Sequence, residues 1–206
     1  MDEEKGMVTR ADPAPAGSRA RFVIDARRSR FTVQAFATGI LSAMGHNPTI
    51  GIRGFSGEAE FDSATLEATA LRLTIQAASL EVLDDVRDRD RSEMEQGMKN
   101  NVLEVAKYPQ ITYEASDIQV ARLDGVLYSA NINGKLSFHG VSRNQPIAAR
   151  IMDSGDMLRI SGDFMLRQSD FQVKPVSVAG GAMKLKDELK FTFEMIARRQ
   201  EPGASP

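Results

Sequence analysis

Cysteine is absent from the 206 residues. That absence removes disulfide cross-links, thiolate metal sites and cysteine nucleophiles together. Histidine is scarce. The two copies, His46 and His139, each stand in a turn-rich stretch, where an imidazole is more often solvated or satisfied than catalytic. No H-x-x-x-H pair, G-x-S-x-G elbow or phosphate-cradling glycine loop occurs. The residues give no support to an enzyme, and no metal or cofactor is expected. An excess of charge is missing too. With 26 Lys+Arg against 28 Asp+Glu, the net charge is -2 and the pI about 5.8, so no bulk field draws nucleic acid or an anionic membrane. No segment reaches the ~20 consecutive apolar residues of a membrane span. Residues 1–20 carry Asp2, Glu3, Glu4 and Lys5, then a Pro/Ala/Gly stretch, without the apolar core of an export signal. The expectation is a soluble cytoplasmic protein without stable membrane insertion. Its 1–20 segment is expected to be disordered and its 200–206 tail frayed, around one domain over 21–199.

What the chain does have is alternation. Phe31, Val33 and Ala35 interleave with Thr32 and Gln34, and Leu71, Leu73 and Ile75 with Arg72 and Thr74. This is the period-two pattern of strands with one buried face. Asp25–Arg28 reads as a turn between Phe22/Ile24 and the Phe31 strand. Ile50 and Ile52 share one phase and Phe55, Ala59 and Phe61 the other, which places a β-bulge or a tight turn near Gly54. Asp124-Gly125 is a hairpin signal, followed by a face of Val126, Tyr128, Ala130, Ile132, Gly134, Leu136 and Phe138. Turns expected at Gly140–Asn144 and Asp153–Asp156 separate Ile147, Ala149 and Ile151 from Leu158, Ile160, Gly162, Phe164 and Leu166. Leu189, Phe191, Phe193 and Met195 close the series. Many alternating strands argue for an antiparallel barrel or sandwich, and the long Ile132–Phe138 face favours a barrel.

One segment breaks the period. Met94, Met98 and Val102 recur every four residues amid alternating acids and arginines from Asp84 to Glu95, so a helix with a solvated charged face is expected between Asp84 and Asn101. Its methionines suit either a core or an adaptable pocket. Pro109 disfavours helix at Tyr108 and sets the start of the Ile111/Tyr113 strand, acting as a structural hinge. Arg167 and Asp170 are expected to form a structural ion pair.

Three segments carry a family resemblance. Lys107-Tyr108-Pro109-Gln110-Ile111-Thr112-Tyr113 is similar to the YP-x-I-x-[FY] element of the YceI family. The run Gly134-Lys135-Leu136-Ser137-Phe138-His139-Gly140-Val141-Ser142 is similar to its G-x-L-x-x-x-G-V-[ST] element. Arg167-Gln168-Ser169-Asp170-Phe171 resembles R-x-x-D-F-G, with Gln172 in place of the last glycine. Order and spacing agree from Arg21 to Arg198, while Gly39 to His46 departs from the common form. The resemblance implies an all-β fold: a lipocalin-like, antiparallel eight-stranded β-barrel with one helical insert between strands. It further implies an elongated apolar pocket that holds a polyisoprenoid or similar acyl chain for carriage or storage, without catalysis. On that reading the tail lies against Phe31, Val33, Ile52 and Phe55, then Leu73, Met94, Met98 and Ile111. Tyr113, Ile132, Leu136, Phe164 and Phe193 complete the contact set, with Arg53 or Lys107 as the cation that meets a phosphate head group. The implied partner is an isoprenoid or other long-chain lipid, and a homodimer is left open. The rival reading is a ligand-free stress or interaction barrel.

Overall fold

The computed structural model describes residues 20–38, 47–178 and 183–200. The segment Gly39 to His46, His46 included, lies outside them, as do the expected disorder over 1–19 and the tail from 201. The two boundary residues are ordered into the fold: Ala20 opens the first strand, and Gln200 N–H donates to Arg21 O at 2.8 Å.

The chain builds one antiparallel sheet. Its strands in order are β1 (Ala20–Ile24), β2 (Arg30–Thr38), β3 (Thr49–Ile52), β4 (Phe55–Asp62), β5 (Glu67–Gln76) and β6 (Leu80–Val82). After the helix α1 (Asp88–Gly97) come β7 (Gln110–Asp124), β8 (Leu127–Phe138), β9 (Val141–Asp153), β10 (Met157–Arg167), the short β11 (Ser177–Val178) and β12 (Met183–Arg199). Pairing runs β1-β4-β5-β7-β8-β9-β10-β12, and β12 returns to β1 through Phe22↔Arg199 and Ile24↔Ala197. The result is a closed antiparallel eight-stranded barrel.

Three of its strands are broken side by side. β1 and β2 both lie along β12 and are separated by the 3-10 turn Ala26–Arg28. Ser29 holds this kink, its Oγ donating to Asp25 O at 2.8 Å and accepting from Ile196 N–H at 2.9 Å. β3 and β4 are separated at Arg53-Gly54, and β5 and β6 at the 3-10 turn Ala77–Ser79. The phase slip near Gly54 is therefore neither an isolated bulge nor a tight turn. It is the point where the strand changes partners, from β2 and β6 to β1 and β5. Gln76 N–H donates to Gly54 O at 2.8 Å, and a Cβ on Gly54 would stand 2.8 Å from the Ser79 Cβ, so only glycine lets the two breaks pack together. Beyond them β2, β3 and β6 form a flap that leaves β7 after a last bond, Ala77 N–H to Pro109 O at 2.9 Å.

The helical insert spans the resulting gap. Helix α1 carries Asp88 and Asp90 in its first turn, where acids complement the helix dipole. Arg87 pairs with Asp90 at 2.8 Å and Arg89 with Glu93 at 3.0 Å on the solvent side, as alternation of charge implied. A π-helical turn, Met98–Val102, follows. Pro109 then stands directly before β7, consistent with its expected hinge role.

Other corrections are local. The β8–β9 turn is His139-Gly140, with φ 51° and 77°, rather than Gly140–Asn144. Two successive positive φ values make the tight hairpin whose twist matches its strands. Val126 stands in the β7–β8 turn and is exposed instead of sharing the inner face. Arg167 pairs across the ladder with Glu188 at 3.6 Å and not with Asp170, whose main-chain carbonyl accepts from Arg143 Nε. Gln172, standing where the resembling motif has glycine, adopts the left-handed conformation at φ 59°. The backbone geometry survives the side chain, at a steric cost.

Candidate functional site

A cavity of about 790 Å³ runs down the barrel axis. Its wall follows from the period-two faces. β5 contributes Leu71, Leu73 and Ile75, β8 contributes Ala130, Ile132 and Leu136, and β10 contributes Leu158, Ile160, Phe164 and Leu166. From Leu158 to Leu166 the lining extends roughly 26 Å along one strand, at about 3.3 Å per residue. The cavity is therefore elongated.

Aromatic side chains set one wall. Phe164 and Phe191 stack with centroids 4.8 Å apart and planes 7° from parallel, and Phe31 meets Phe191 and Phe193 edge-on at 6.1 and 6.2 Å. At the far end Phe61 packs edge-on against Tyr128 at 5.6 Å, with Leu158 only 1% exposed beside the fully buried Ala197. That end is shut. The opposite end is roofed by the insert, where Glu93, Met94, Gly97, Met98, Asn101 and Val102 face the cavity together with Pro48, Lys174, Val176 and Ser177. Met94 remains 38% exposed, as expected of a residue on a lid.

Tyr113 ties the wall together from inside. A Cβ on Gly134 would lie 2.3 Å from its ring, so the tyrosine crosses β8 through the space that glycine leaves. Its hydroxyl donates to Gln145 O at 2.9 Å, with Ile132 O at 3.2 Å as the alternative acceptor. Gln145 lies where β9 has left β10, since their pairing runs only from Asp153↔Leu158 to Ala149↔Gly162. The hydroxyl thus meets a carbonyl outside that ladder. Burial pushes the Tyr113 pKa up to about 12, against a smaller opposing effect of the Gly134 main chain.

Of the thirteen residues expected to meet a ligand, twelve line this one cavity: Phe31, Val33, Ile52, Leu73, Met94, Met98, Ile111, Tyr113, Ile132, Leu136, Phe164 and Phe193. Phe55 is not among them; it is buried with its ring edge-on to Phe31 at 6.2 Å. The two expected cations are elsewhere. Arg53 is bonded to Glu81, and Lys107 lies 4.9 Å from the Tyr108 ring, whose contact raises its pKa. His139 is a structural residue: it packs against Tyr108 with centroids 4.4 Å apart and planes tilted by 48°, and its Nε2 stands 2.8 Å from Glu104 Oε2. The expected contact set leaves out Phe191, although it shares a face with Phe193. It also leaves out Gln168, Lys174 and Val176, which stand in a stretch without period.

Gln168 is the buried polar group of this wall, 4% exposed. Its Nε2 donates to Lys186 O at 3.0 Å and to Asp187 O at 3.4 Å. Asp187 in turn accepts from Ser169 Oγ at 2.5 Å and Ser169 N–H at 2.8 Å, and these bonds hold its carboxyl below the ordinary carboxylate pKa. Among the described residues no helix is long and apolar enough to cross a membrane.

The sequence model of the YceI-like domain matches residues 9–197 of this chain. A UPF0312 protein of Azotobacter vinelandii is 29% identical over 123 residues, 59% of this chain and 58% of its own length; the chain thus aligns with little more than half of that relative. Among solved structures, Burkholderia cenocepacia BcnA superposes with a TM-score of 0.63 at 20% identity, over 84% of this chain and 98% of its own. A polyisoprenoid binding domain from Saccharophagus degradans, implicated in plant cell wall breakdown, gives 0.63 at 14% identity over 89% and 100%. The Campylobacter jejuni YCEI protein gives 0.55 at 18% identity over 74% and 85%. At these identities the three structures establish the fold alone.

Proposed function

The chain belongs to the YceI-like domain family, and from that premise we propose that it binds one long apolar chain, a polyisoprenoid or similar acyl lipid, along the barrel axis as a carrier or storage protein. The observation that carries this reading is the size and lining of the cavity. Protein interiors are close-packed, with few voids larger than a water molecule. Left dry, a cavity of about 790 Å³ would deprive every side chain on its wall of contacts. Water is a poor filler for walls of Leu, Ile, Val and Phe, whereas each CH₂ buried there contributes about 0.8 kcal/mol. The volume also lies inside the roughly 300–1,000 Å³ of ligand pockets, and its narrow, one-ended shape suits a slender chain. The Saccharophagus neighbour, by its description a polyisoprenoid binding domain, supports the same ligand class.

Mass spectrometry of an organic extract of the purified protein tests the proposal. A prenyl or acyl lipid near one per chain is the expected result. A protein that yields no lipid, and takes up none when offered, is the ligand-free barrel instead.

A further inference from the structure

The cavity's charge pattern speaks to the other end of the ligand. Resting on the lipid-binding reading above, we infer that the polar end of the ligand is an uncharged hydroxyl, alcohol or phenol, received by the Gln168 side chain, and not a phosphate or diphosphate.

Three observations converge on this. First, the charged residues on the cavity wall at the roofed end, among the described residues, are Glu93 and Lys174, one acid and one base with no cluster of cations, and Lys174 is exposed. A diphosphate, with several negative charges, is normally met by clustered arginines, lysines or a helix N-terminus. Arg53 and Lys107 lie outside the wall. Second, the part of α1 on the cavity begins at Glu93 and continues through Met94 and Gly97 into the turn with Met98. This is the carbonyl end of the helix, whose dipole repels an anion. Third, Gln168 is buried and its amide orientation is dictated: both partners of Nε2 are carbonyl oxygens, which only accept. Its Oε1 is therefore the end left for a ligand, and an amide oxygen takes an O–H. Asn101 and Ser177 add neutral donors and acceptors to the same wall.

A buried acceptor discriminates strongly. An ether or hydrocarbon end leaves Oε1 unpaired, and a diphosphate sets anionic oxygens among acceptors and a carboxylate. The test is calorimetric titration of the intact protein with geranylgeraniol, its methyl ether and geranylgeranyl diphosphate, which share one tail. The alcohol is expected to bind about tenfold more tightly than the ether, with the diphosphate weaker than the alcohol. A straight-chain saturated alcohol, with its own ether and diphosphate, distinguishes acyl from prenyl tails; the same ranking in whichever series binds supports the inference. Gln168→Leu is expected to erase the difference between alcohol and ether. Because that substitution also removes bonds to Lys186 and Asp187 and risks misfolding, the wild-type ranking stands as the independent readout. Diphosphate binding as tight as the alcohol, or alcohol and ether binding alike, overturns the inference while leaving the lipid-binding reading intact. Failure of every probe to bind overturns both.

Discussion

At the end of the barrel built from β1, β4 and the β7–β8 hairpin, the eight strands close into a ring of main-chain ladders over a packed floor of Phe61, Tyr128, Leu158 and Ala197. At the other end β6 and β7 part, and the insert from Asp84 to Pro109 spans the opening. There the insert is tied to the flap by bonds of side chain to main chain, Asp84 Oδ2 accepting from Thr49 N–H at 2.9 Å and Glu95 Oε1 from Val82 N–H at 2.9 Å, and it sends one buried residue, Leu103, into the core. No residue of α1 is buried. The contrast teaches where the stability resides and, on the proposed function, where a slender ligand would enter. A ladder breaks only cooperatively, whereas α1, with no buried residue and single bonds of about 1 kcal/mol each, is placed to open locally about the anchored Leu103.

The comparison breaks most visibly at the floor. Tyr128→Ala removes a ring that packs against Phe61 and lies under the Arg122 guanidinium at 5.2 Å, and its expected cost is about 3–5 kcal/mol, read by urea denaturation. A loss below about 1 kcal/mol there contradicts a load-carrying closed end. Next comes the wall between the two ends. Gly134→Ala drives a methyl group into the Tyr113 ring and separates its hydroxyl from Gln145, for an expected loss of about 2–4 kcal/mol, seen in thermal melting. The same tyrosine sets an alkaline limit. Its neutral form is favoured on folding, so this contribution is complete below pH 10 and is lost as pH rises from 10 towards about 12. Stability against pH in the Tyr113→Phe variant is expected to fall less over that window. The lid gives the smallest stability effect. Glu95→Ala costs about 1 kcal/mol but speeds release of a fluorescent lipid severalfold in stopped-flow, whereas release unchanged by this variant places the exit elsewhere.

Much of this contrast was legible in the sequence because strands and helices have different periods. The alternation of Leu71, Leu73 and Ile75, or of Leu158, Ile160 and Phe164, states which residues face inward, and the four-residue spacing of Met94, Met98 and Val102 marks the insert. Alternation does not say which strands are neighbours. For that reason the break at Arg53-Gly54 read as a bulge or turn, when it is a change of partners along one strand. Nor does it separate core from cavity wall: Phe55 and Phe31 share a pattern, yet only Phe31 lines the cavity. Gln168 gave no signal because its role depends on two carbonyls of β12, distant in sequence. Arg167 found Glu188 rather than Asp170 because cross-strand neighbours compete well with a residue three positions on, once the chain turns into the 3-10 segment Gln168–Phe171.

The proposed function requires a single slender ligand filling the barrel from lid to floor, and its most direct test is affinity against tail length. Prenyl alcohols of increasing length, titrated under one set of conditions, are expected to bind with one site per chain and to tighten with each added isoprene unit until the tail reaches the Phe61 floor, then level off. Affinity that does not change with tail length, or binding that never saturates at one per chain, contradicts it.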